Sequence, residues 1–411
     1  MNLDHLNEKQ QEAVLTTQGP LLVLAGAGSG KTSVLAHRIA NLVENANVNP
    51  WNILAVTFTN KAANEMKQRV LKILNKEDQN DYIQNAGTFH SICVRILRKH
   101  IHLLDYDNSF VIYDTADQQI LIKQVLEDLY IDDKQFNPRA ILHHISGAKN
   151  ELITPTEYRK MSHNYFTEKV AQAYEKYQKQ LRKNNAVDFD DIIMKTVELF
   201  QKEPQILDYY QEKFLYILVD EYQDTNHAQY VLTNMLAEKY RNLMVIGDSD
   251  QSIYSFRGAN ITNILNFEKD YPEAKIVFLE ENYRSTQIIL DAAHEIIVKN
   301  TKRKDKKLWT QKQGGDLIML KRLGNEREEG DYICNQIESL MREDDEKDFK
   351  KYVVLYRTNA QSRVIEECFL RHGMPYKIIG GIRFYERKEI KDIISYLRVI
   401  QNPNDGVSLL R

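Results

Sequence analysis

The sequence predicts an α/β fold in which a parallel sheet is covered by helices and interrupted by a helical insertion. Short apolar runs alternate with helical patterns over residues 20–100, as in strands joined by crossover helices. Residues 105–190 are instead polar, helix-rich and nearly free of strand pattern, which is typical of an inserted helical segment. Strand-like apolar runs return after this segment, so later parts of the chain are expected to complete the sheet.

Composition places the chain among globular proteins. With 411 residues, 43% of them hydrophobic and 27% charged, it is long enough for roughly two to four domains. No apolar run approaches the ~20 residues of a membrane span, and residues 1–5 lack the character of a secretion signal. Cys93, Cys334 and Cys368 lie far apart, so neither a disulfide framework nor a zinc site is expected, which favours a reducing cytoplasm. With a net charge of −3, any surface for nucleic acid must be locally basic.

The strands are expected in chain order. The first sheet is predicted to use residues 21–24, 53–56, 216–219, 243–246 and 275–279. A second α/β unit is expected to begin near residue 283, with strands at 317–320 and 352–356. The acidic run at 343–346 between them is interpreted as a solvated helix end or loop.

The first strand leads into a glycine-rich loop that ends in Lys-Thr and opens a helix. This order is the layout of a cradle for nucleotide phosphates, because loop N–H groups and the positive end of the helix dipole face the anion. We expect Lys31 to reach the β- and γ-phosphates and the Thr32 hydroxyl to coordinate Mg²⁺. Ala25 replaces the usual first glycine, a change that its short side chain tolerates. The predicted nucleotide-binding residues of the loop are Ala25, Gly26, Ala27, Gly28, Ser29, Gly30, Lys31 and Thr32.

Two acids at the end of a later strand are expected to complete the phosphate site. Asp220 and Glu221 follow the apolar run at 216–219, where a buried strand can deliver a carboxylate to Mg²⁺. Asp220 is expected to hold Mg²⁺ through water, and Glu221 to orient and deprotonate the attacking water. Acids at a strand end are often merely solvated, and the phosphate loop is what favours the catalytic interpretation.

Two glutamines are further candidates for this site. Gln251 follows the next strand, where its amide could sense the γ-phosphate, although a glutamine in an ordinary turn would look the same. Gln10 precedes the loop, and its amide has the donor and the acceptor needed to pair with adenine N6 and N7. A glutamine at a helix start is also ordinary, so the loop context carries this assignment.

Together these stretches resemble the superfamily 1A DNA helicases, most closely the UvrD/PcrA/Rep group. The string Asp-Glu-Tyr-Gln-Asp-Thr-Asn at 220–226 and the string that begins Gly-Asp-Ser-Asp-Gln-Ser at 247 and runs to 259 are both long and rare. Further motifs follow in the family's order through essentially the whole chain, at 57–63, 88–91, 282–285, 356–363 and 380–392.

The resemblance implies two RecA-like P-loop NTPase domains that hold ATP between them, each with a helical insertion, the second domain being incomplete here. It also implies that Tyr283 stacks on adenine and that Arg284 reaches the γ-phosphate from the second domain, neutralising charge that develops during phosphoryl transfer. The implied divisions are the first part of domain 1A at 1–104, insertion 1B at 105–190, the second part of 1A at 191–282, the first part of domain 2A at 283–384 and the start of insertion 2B at 385–411.

The resemblance further implies a groove for single-stranded DNA, which such proteins bind by backbone charge and by stacking bases on aromatic side chains. Phe58, Tyr254 and Phe256 are the stacking candidates, although any one aromatic could instead pack in the core. The other DNA-contact candidates are Thr59, Asn60, His90, Arg257, Arg357 and Asn359. The basic stretch at 302–307 would meet the DNA backbone or form a charged, solvated helix end.

The favoured function is an ATP-dependent translocase on single-stranded DNA and a 3′→5′ DNA helicase in repair or replication. ATP and Mg²⁺ are the expected cofactors, with no other metal site. Single-stranded DNA, junctions of single and double strands, and DNA repair proteins are the expected partners of a cytoplasmic monomer or weak dimer without membrane contact. A further DNA-contact motif and a second arginine finger are expected beyond residue 411, so this chain is expected to bind nucleotide, hydrolyse it poorly and not unwind duplex.

Other interpretations remain open. A truncated ATP- and DNA-binding module could regulate or scaffold a repair complex without catalysis. The motor of a helicase–nuclease would need a nuclease domain that this sequence does not show. RNA is disfavoured only by the resemblance, because stacking and phosphate contacts do not exclude a 2′-hydroxyl.

Overall fold

Two separate parallel sheets, one of six strands and one of two, form within the residues that the structure describes. The structure is a computed structural model and describes residues 2–79, 82–301, 303–343, 348–379 and 388–410. The strands are β1 (Leu21–Ala25), β2 (Ile53–Thr57), β3 (Ala86–Thr88), β4 (Val111–Tyr113), β5 (Ala186–Asp188), β6 (Tyr216–Val219), β7 (Leu243–Gly247) and β8 (Lys275–Leu279). The large sheet has the order β3–β2–β6–β7–β1–β8, and β4 pairs with β5.

Helices connect and cover these strands. Those up to residue 202 are α1 (Glu8–Leu15), α2 (Lys31–Glu44), α3 (Asn60–Ile73), α4 (Phe89–His100), α5 (Thr115–Asp128), α6 (Pro138–Asn150), α7 (Pro155–Lys160), α8 (Tyr165–Lys183) and α9 (Phe189–Lys202). The later ones are α10 (Pro204–Lys213), α11 (His227–Ala237), α12 (Thr262–Leu265), α13 (Phe267–Asp270), α14 (Gln287–Ile297), α15 (Glu326–Glu343), α16 (Ser362–Arg371), α17 (Lys388–Gln401) and α18 (Gly406–Leu410). No helix in the described ranges has the length and apolar character needed to cross a membrane.

The central strands are apolar on both faces because helices cover both sides of the sheet. Leu22 and Leu24 of β1 belong to one buried cluster, whereas Leu21 and Val23 belong to a second cluster. Successive side chains of a strand point to opposite faces, so this alternation places one core on each side of the sheet. The uninterrupted apolar runs that predicted these strands are therefore explained by double-sided burial.

The strand order also decides which loops meet. β1 lies between β7 and β8, and β6 lies on the other side of β7, with all neighbouring pairs parallel. Parallel strands present their carboxyl ends at the same edge of a sheet, where open α/β sheets bind ligands. The loops that follow β1, β6 and β7 are therefore neighbours, although about two hundred residues of sequence separate the first loop from the other two.

The α/β class and the five strands predicted for the first sheet are confirmed within a residue at their ends. The sequence missed β3, whose residues Ala-Gly-Thr are too few to show an alternating pattern. It also missed the short pair β4 and β5, which frames the predicted helical insertion. Helices α5, α6, α7 and α8 lie between these two strands, so the helix-rich character of 105–190 is confirmed.

The predicted strands at 317–320 and 352–356 are wrong, because the described backbone there belongs to no hydrogen-bonded ladder. Leu317, Leu320, Val353 and Leu355 are each more than three-quarters exposed. An apolar run becomes a strand only when neighbouring strands take up its backbone groups and a core covers its side chains. Of the acidic run at 343–346, Glu343 ends α15 and the rest lies outside the described residues.

The chain divides into two compact units. The first consists of Met1–Gly315 together with Ile394–Arg411, and the second is Asp316–Ile393. In the first unit, Arg398 of α17 donates to Asp117 over 2.8 Å, and Tyr113 donates to Asp405 over 2.7 Å. In the second, α15 and α16 pack together around buried Cys334 and Cys368. The five-part division drawn from the resemblance stays a prediction, and its boundary at 384/385 lies outside the described residues.

A buried charge cluster joins the helical insertion to the sheet region. The fully buried Lys149 of α6 lies 2.7 Å from Asp188 Oδ2 and 2.9 Å from Asp191 Oδ1, measured from Nζ. Tyr177 also donates to Asp188, over 3.2 Å. Burial alone would lower the pKa of Lys149, but the two carboxylates raise it above its ordinary value. The lysine is therefore charged and fully compensated at neutral pH.

Replacing this lysine should destabilise the first unit strongly. We expect Lys149→Met to lower the free energy of unfolding by about 3–5 kcal/mol, because two buried carboxylates lose the cation that lies within hydrogen-bond distance of both. The matched control is Lys176→Met, which removes an exposed 3.2 Å pair with Asp128 and should cost about 0–1 kcal/mol. Urea unfolding followed by circular dichroism measures both, and equal losses would contradict the role given to Lys149.

Candidate nucleotide site and nucleic-acid interface

The phosphate loop joins β1 to α2 in a conformation that suits an anion. Gly30 adopts a left-handed backbone, with φ 88° and ψ 25°, and a Cβ atom there would lie 2.8 Å from Nε2 of Gln10. Among the described residues, no side chain caps the start of α2 at Lys31. The first-turn N–H groups of α2 are therefore left for another acceptor, and such a helix start binds phosphate readily.

The remaining loop residues are tightly packed. Ala25 is fully buried at the end of β1, and the Ser29 hydroxyl donates to the Gly26 carbonyl over 2.8 Å. A Cβ atom on Gly26 would lie 2.1 Å from Cδ2 of Leu308, so a larger residue fits only if Leu308 moves. The loop is thus shaped by contacts on both of its sides.

Asn282 fastens the loop to the segment that follows β8. Its Nδ2 donates to the Ala27 carbonyl over 2.5 Å, and its Oδ1 accepts from the Arg284 N–H over 2.8 Å. The Tyr283 N–H also donates to the Gly28 carbonyl, over 3.0 Å. Asn282 is only 2% exposed. These contacts bring Tyr283 and Arg284 beside the phosphate loop, with both side chains exposed.

Lys31 and Glu221 form an ion pair across the site, with 2.9 Å between Nζ and Oε2. Glu221 is the second residue after β6 and adopts a left-handed backbone, with φ 49° and ψ 45°. That conformation costs a non-glycine residue about 1–3 kcal/mol and is typically retained where function needs it. Asp220 is 7% exposed, and its burial and the Glu221 charge raise the pKa of Asp220 to about 6. The structure thus brings Lys31, Asp220 and Glu221 together.

A chain of hydrogen bonds connects this ion pair to Gln251. Gln223 donates from Nε2 to Glu221 Oε2 over 2.9 Å, and its Oε1 accepts from the Asp248 N–H over 2.9 Å. Gln251 then donates from Nε2 to Asp248 Oδ2 over 2.6 Å. Gln251 therefore lies within the same polar network as Lys31, and its role as a sensor stays a prediction.

The other end of the site is formed by the N-terminal segment. Gln10 donates from Nε2 to the Ser29 carbonyl over 2.9 Å, and its Oε1 accepts from the Asn7 N–H over 3.1 Å. Asn7 also donates to the Tyr283 hydroxyl over 2.7 Å. Gln10 here supports the phosphate loop with both ends of its amide, and adenine contact by Gln10 stays a prediction.

These residues fit ATP with Mg²⁺. The uncapped start of α2 and the adjacent Lys31 suit a polyphosphate, and the buried Asp220 supplies a carboxylate of the kind that Mg²⁺ prefers. Thr32 occupies the second position of α2, beside Lys31. Lys31, Thr32 and Asp220 are therefore the residues that would hold the phosphates and the metal.

Aromatic side chains gather beside this site, where the loops after β2 and β7 meet. The ring centroids of Phe58 and Tyr254 lie 5.0 Å apart, and those of Tyr254 and Phe256 lie 6.0 Å apart. The Arg257 guanidinium lies 5.3 Å and 5.6 Å from the Tyr254 and Phe256 rings. Phe256 is 67% exposed, which excludes core packing for this side chain. The cluster presents aromatic faces and a cation on one surface.

The other DNA-contact candidates of the first unit have local roles as well. The Thr59 hydroxyl accepts from the Ala62 N–H and caps α3, of which the exposed Asn60 is the first residue. His90 lies edge-on to Phe189 with 5.9 Å between ring centroids, and burial lowers the pKa of His90. Their contacts with DNA stay predictions.

Arg357 and Asn359 lie in the second unit. Both are exposed, and the Arg357 N–H donates to Gln361 Oε1 over 3.0 Å at the turn that begins α16. Their DNA contacts also stay predictions. Of the family motif at 380–392, residues 380–387 lie outside the described residues.

Two residues of the basic stretch, Arg303 and Lys306, pair with acids that are distant in the sequence. Arg303 donates from Nε and Nη2 to the two carboxylate oxygens of Asp250, each over 3.0 Å. Lys306 lies 2.5 Å from Asp248 Oδ1 and 2.7 Å from Asp250 Oδ2, measured from Nζ. The solvated helix end is therefore wrong for these two residues, whose charges are buried against acids, and contact of the stretch with the DNA backbone stays a prediction. We call residues 303–309 the strap; Lys302 lies outside the described residues.

Sequence reasoning missed Asn282, Gln223 and the strap as parts of the site. Asn282 and Gln223 lie inside motifs that the resemblance identified. An asparagine or a glutamine in a motif does not by itself indicate that its amide is buried and hydrogen-bonded within the site. For the strap, the local cluster of positive charge hid the distant acids that it pairs with. Only the sheet topology reveals that pairing.

Two family models together match nearly the whole chain. The UvrD/REP helicase N-terminal domain matches residues 6–272, and the UvrD-like helicase C-terminal domain matches residues 277–411. The second match corrects the expectation that the chain is only the N-terminal portion of such a protein, because it also carries C-terminal domain sequence.

Curated relatives show strong similarity over a shared part of their length. The chain is 53% identical over 409 residues to the ATP-dependent DNA helicase PcrA of Staphylococcus aureus, covering 100% of this chain and 55% of that protein. It is also 53% identical over 407 residues to the PcrA of Staphylococcus epidermidis, covering 99% and 55%. The chain therefore spans about half the length of the curated relatives it matches.

The fastening of the phosphate loop by Asn282 can be tested with an isosteric change. We expect Asn282→Asp to weaken binding of a fluorescent ATP analogue about tenfold, because an oxygen would face the Ala27 carbonyl where an N–H now donates. The matched control is Asn300→Asp, at an exposed position after α14, which should leave the affinity unchanged. An unchanged affinity in Asn282→Asp, in a folded protein, would show that this contact does not shape the loop.

Proposed function

The chain belongs to the UvrD/REP helicase family, and on this premise we propose that it binds ATP and contributes to ATP-driven movement along single-stranded DNA and unwinding of duplex DNA. The weak hydrolysis and the absence of unwinding expected for these 411 residues alone stay predictions. The observation that carries the proposal is the continuous polar network from Lys31 through Glu221, Gln223 and Asp248 to Gln251. This network borders the turn that also presents Tyr254 and Phe256. One short segment of chain thus links a phosphate site to an aromatic surface.

In the proposed reaction, Glu221 orients the attacking water and takes its proton. The Glu221 carboxylate is paired with Lys31 in this structure. The oxygens of a bound polyphosphate would compete with Glu221 for the lysine charge. Engagement of Lys31 by phosphate would leave Glu221 free to accept a proton. Arg284 would stabilise the charge that develops at the transferred phosphoryl group. Mg²⁺, when bound, would neutralise charge at the phosphates; the Thr32 hydroxyl would hold it directly and Asp220 would hold it through water.

The proposed DNA surface is the aromatic cluster with Arg257. Each base stacked on an aromatic side chain contributes about 1–3 kcal/mol, and stacking is nearly independent of base identity. That property suits an enzyme that must move over any sequence. The 3′→5′ direction is proposed from the family resemblance.

The partners and the location are also proposed from the family resemblance. Junctions of single- and double-stranded DNA and DNA repair proteins are the proposed partners, with the protein acting as a monomer or weak dimer. The bacterial cytoplasm is the proposed location, supported by three cysteines that the structure leaves unpaired and by the bacterial DNA helicases the chain is similar to.

The nucleotide site is tested by removing its lysine. We expect Lys31→Ala to reduce ATP hydrolysis in the presence of single-stranded DNA by about 100-fold, because a charge aimed at the phosphates is lost. The matched control is Lys123→Ala, at an exposed position on α5, which should hydrolyse ATP like the parent chain.

The outcomes separate the two candidate functions. If the parent chain hydrolyses ATP and Lys31→Ala does not differ from it, the assigned site is wrong. If the parent binds an ATP analogue through Lys31 but does not turn ATP over, the non-catalytic ATP- and DNA-binding module is favoured instead.

The DNA surface is tested by truncating its most exposed aromatic. We expect Phe256→Ala to weaken binding of fluorescein-labelled oligo(dT) roughly 5- to 150-fold, the equivalent of about 1–3 kcal/mol for one stacked base. The affinity for an ATP analogue should stay unchanged. Tyr130→Ala is the control, since Tyr130 is 98% exposed and lies in the helical insertion. Equal losses of DNA and nucleotide affinity would mean that Phe256 is structural, and a DNA affinity independent of salt would argue against phosphate contacts.

A further inference from the structure

The strap contacts residues of the nucleotide site, although it does not itself lie directly after a strand of the large sheet. The side chains of Arg303 and Lys306 are 8% and 4% exposed, so both charges are buried. Their partners are Asp248 and Asp250, which lie in the turn directly after β7. Buried cations that pair with two acids of one turn fix the position of that turn.

One of these acids also holds Gln251. Asp248 accepts from Lys306 on Oδ1 over 2.5 Å and from Gln251 Nε2 on Oδ2 over 2.6 Å. The same Oδ1 accepts the Asp250 N–H over 2.9 Å, which closes the turn. Lys306 therefore acts on Gln251 through a single carboxylate.

The other end of the strap contacts the phosphate loop. Leu308 packs against Gly26 so closely that a Cβ atom there would lie 2.1 Å from Leu308 Cδ2. The next residue, Trp309, accepts the Asn282 N–H on its carbonyl oxygen over 2.7 Å. Seven consecutive residues thus contact both the loop after β1 and the turn after β7.

We propose that Arg303 and Lys306 are positioning residues for Gln251, and that the strap links the state of the phosphate loop to the turn carrying Gln251 and the aromatic cluster. The proposal rests on the proposed function, in which Gln251 senses the phosphate. It assigns the two cations a role in catalysis rather than in DNA binding.

Charge balance gives the physical reason for this role. Burial would raise the pKa of Asp250, but its bonds to Arg303 and Lys306 outweigh burial, so the pKa of Asp250 lies below its ordinary value. Removing one cation would leave a buried carboxylate short of a partner. The turn would then open towards water, and Gln251 and the following Tyr254 and Phe256 would lose their fixed positions.

The test compares Lys306→Met with Lys123→Met, a matched change at an exposed lysine on α5 that belongs to neither the strap nor the predicted DNA contacts. In Lys306→Met we expect kcat for DNA-stimulated ATP hydrolysis to fall about tenfold or more, with KM for ATP and Kd for oligo(dT) changed less than about twofold. Lys123→Met should match the parent. A parallel loss of kcat, nucleotide affinity and DNA affinity would assign Lys306 a merely structural role and overturn the proposal.

A double variant shows whether Lys306 acts through Gln251. If it does, Lys306→Met combined with Gln251→Ala should lower kcat no further than Gln251→Ala alone. Independent, multiplying losses would overturn the proposal. Arg303→Gln is the milder second variant, since it removes the bidentate pair with Asp250 and leaves Lys306 in place.

Hydrogen exchange separates a failure of this proposal from a failure of the proposed function. In Lys306→Met and Arg303→Gln, backbone amides at 249–257 should exchange faster than in the parent, with little change elsewhere in the sheet region. This readout needs no activity. A parent without ATP hydrolysis would defeat the proposed function while faster exchange still supported the strap; unchanged exchange at 249–257 would overturn the strap, whatever the activity.

Discussion

The neighbourhood of β1, β7 and β6 in one parallel sheet is the constraint on which the site depends. The residues that follow each strand lie at the same edge of the sheet. Lys31, Gln251 and Glu221 therefore come together there although they are far apart in the sequence. The strands themselves are held by cores on both faces, and their ends therefore have little freedom to shift. Rigid strand ends can carry a strained residue such as Glu221, whose left-handed backbone needs a surrounding structure to enforce it.

Charge pairing explains how such an edge remains stable before nucleotide binds. Glu221 is paired with Lys31, and Asp248 and Asp250 are paired with Lys306 and Arg303. The two groups of charges differ in kind. Lys31 lies at the phosphate loop, where a bound polyphosphate would compete with Glu221 for it, whereas the side chains of Arg303 and Lys306 are buried against Asp248 and Asp250. In the proposed function, Glu221 would therefore change partner when phosphate binds, while Asp248 and Asp250 would stay paired with the strap.

The sequence was sufficient wherever function depends on consecutive residues. The phosphate loop, the acids after β6 and the strands of the large sheet all have local patterns, and the structure places them at one edge. It was insufficient wherever a side chain's partner is distant. The stretch at 302–307 has the local signature of a solvated or DNA-binding segment, yet Arg303 and Lys306 pair with acids more than fifty residues away. The runs at 317–320 and 352–356 likewise have strand composition, but composition cannot supply the neighbouring strand that a ladder requires.

A basic residue can serve a DNA-dependent ATPase in two ways, by binding DNA itself or by holding other groups in place. A lysine that binds the DNA backbone must keep its ammonium group near water, as the exposed Lys307 does. A lysine that is buried between two carboxylates has no charge left to offer a phosphate, and its effect must pass through the groups that it holds. Lys306 belongs to the second kind. Because Asp248 is shared between Lys306 and Gln251, a displacement of the strap by the phosphate loop would change the position of Gln251 before it reached the aromatic cluster. In the proposed function, the strap would therefore link events at the nucleotide to those at the aromatic cluster through Asp248, and not through a contact of Lys306 with nucleotide or DNA.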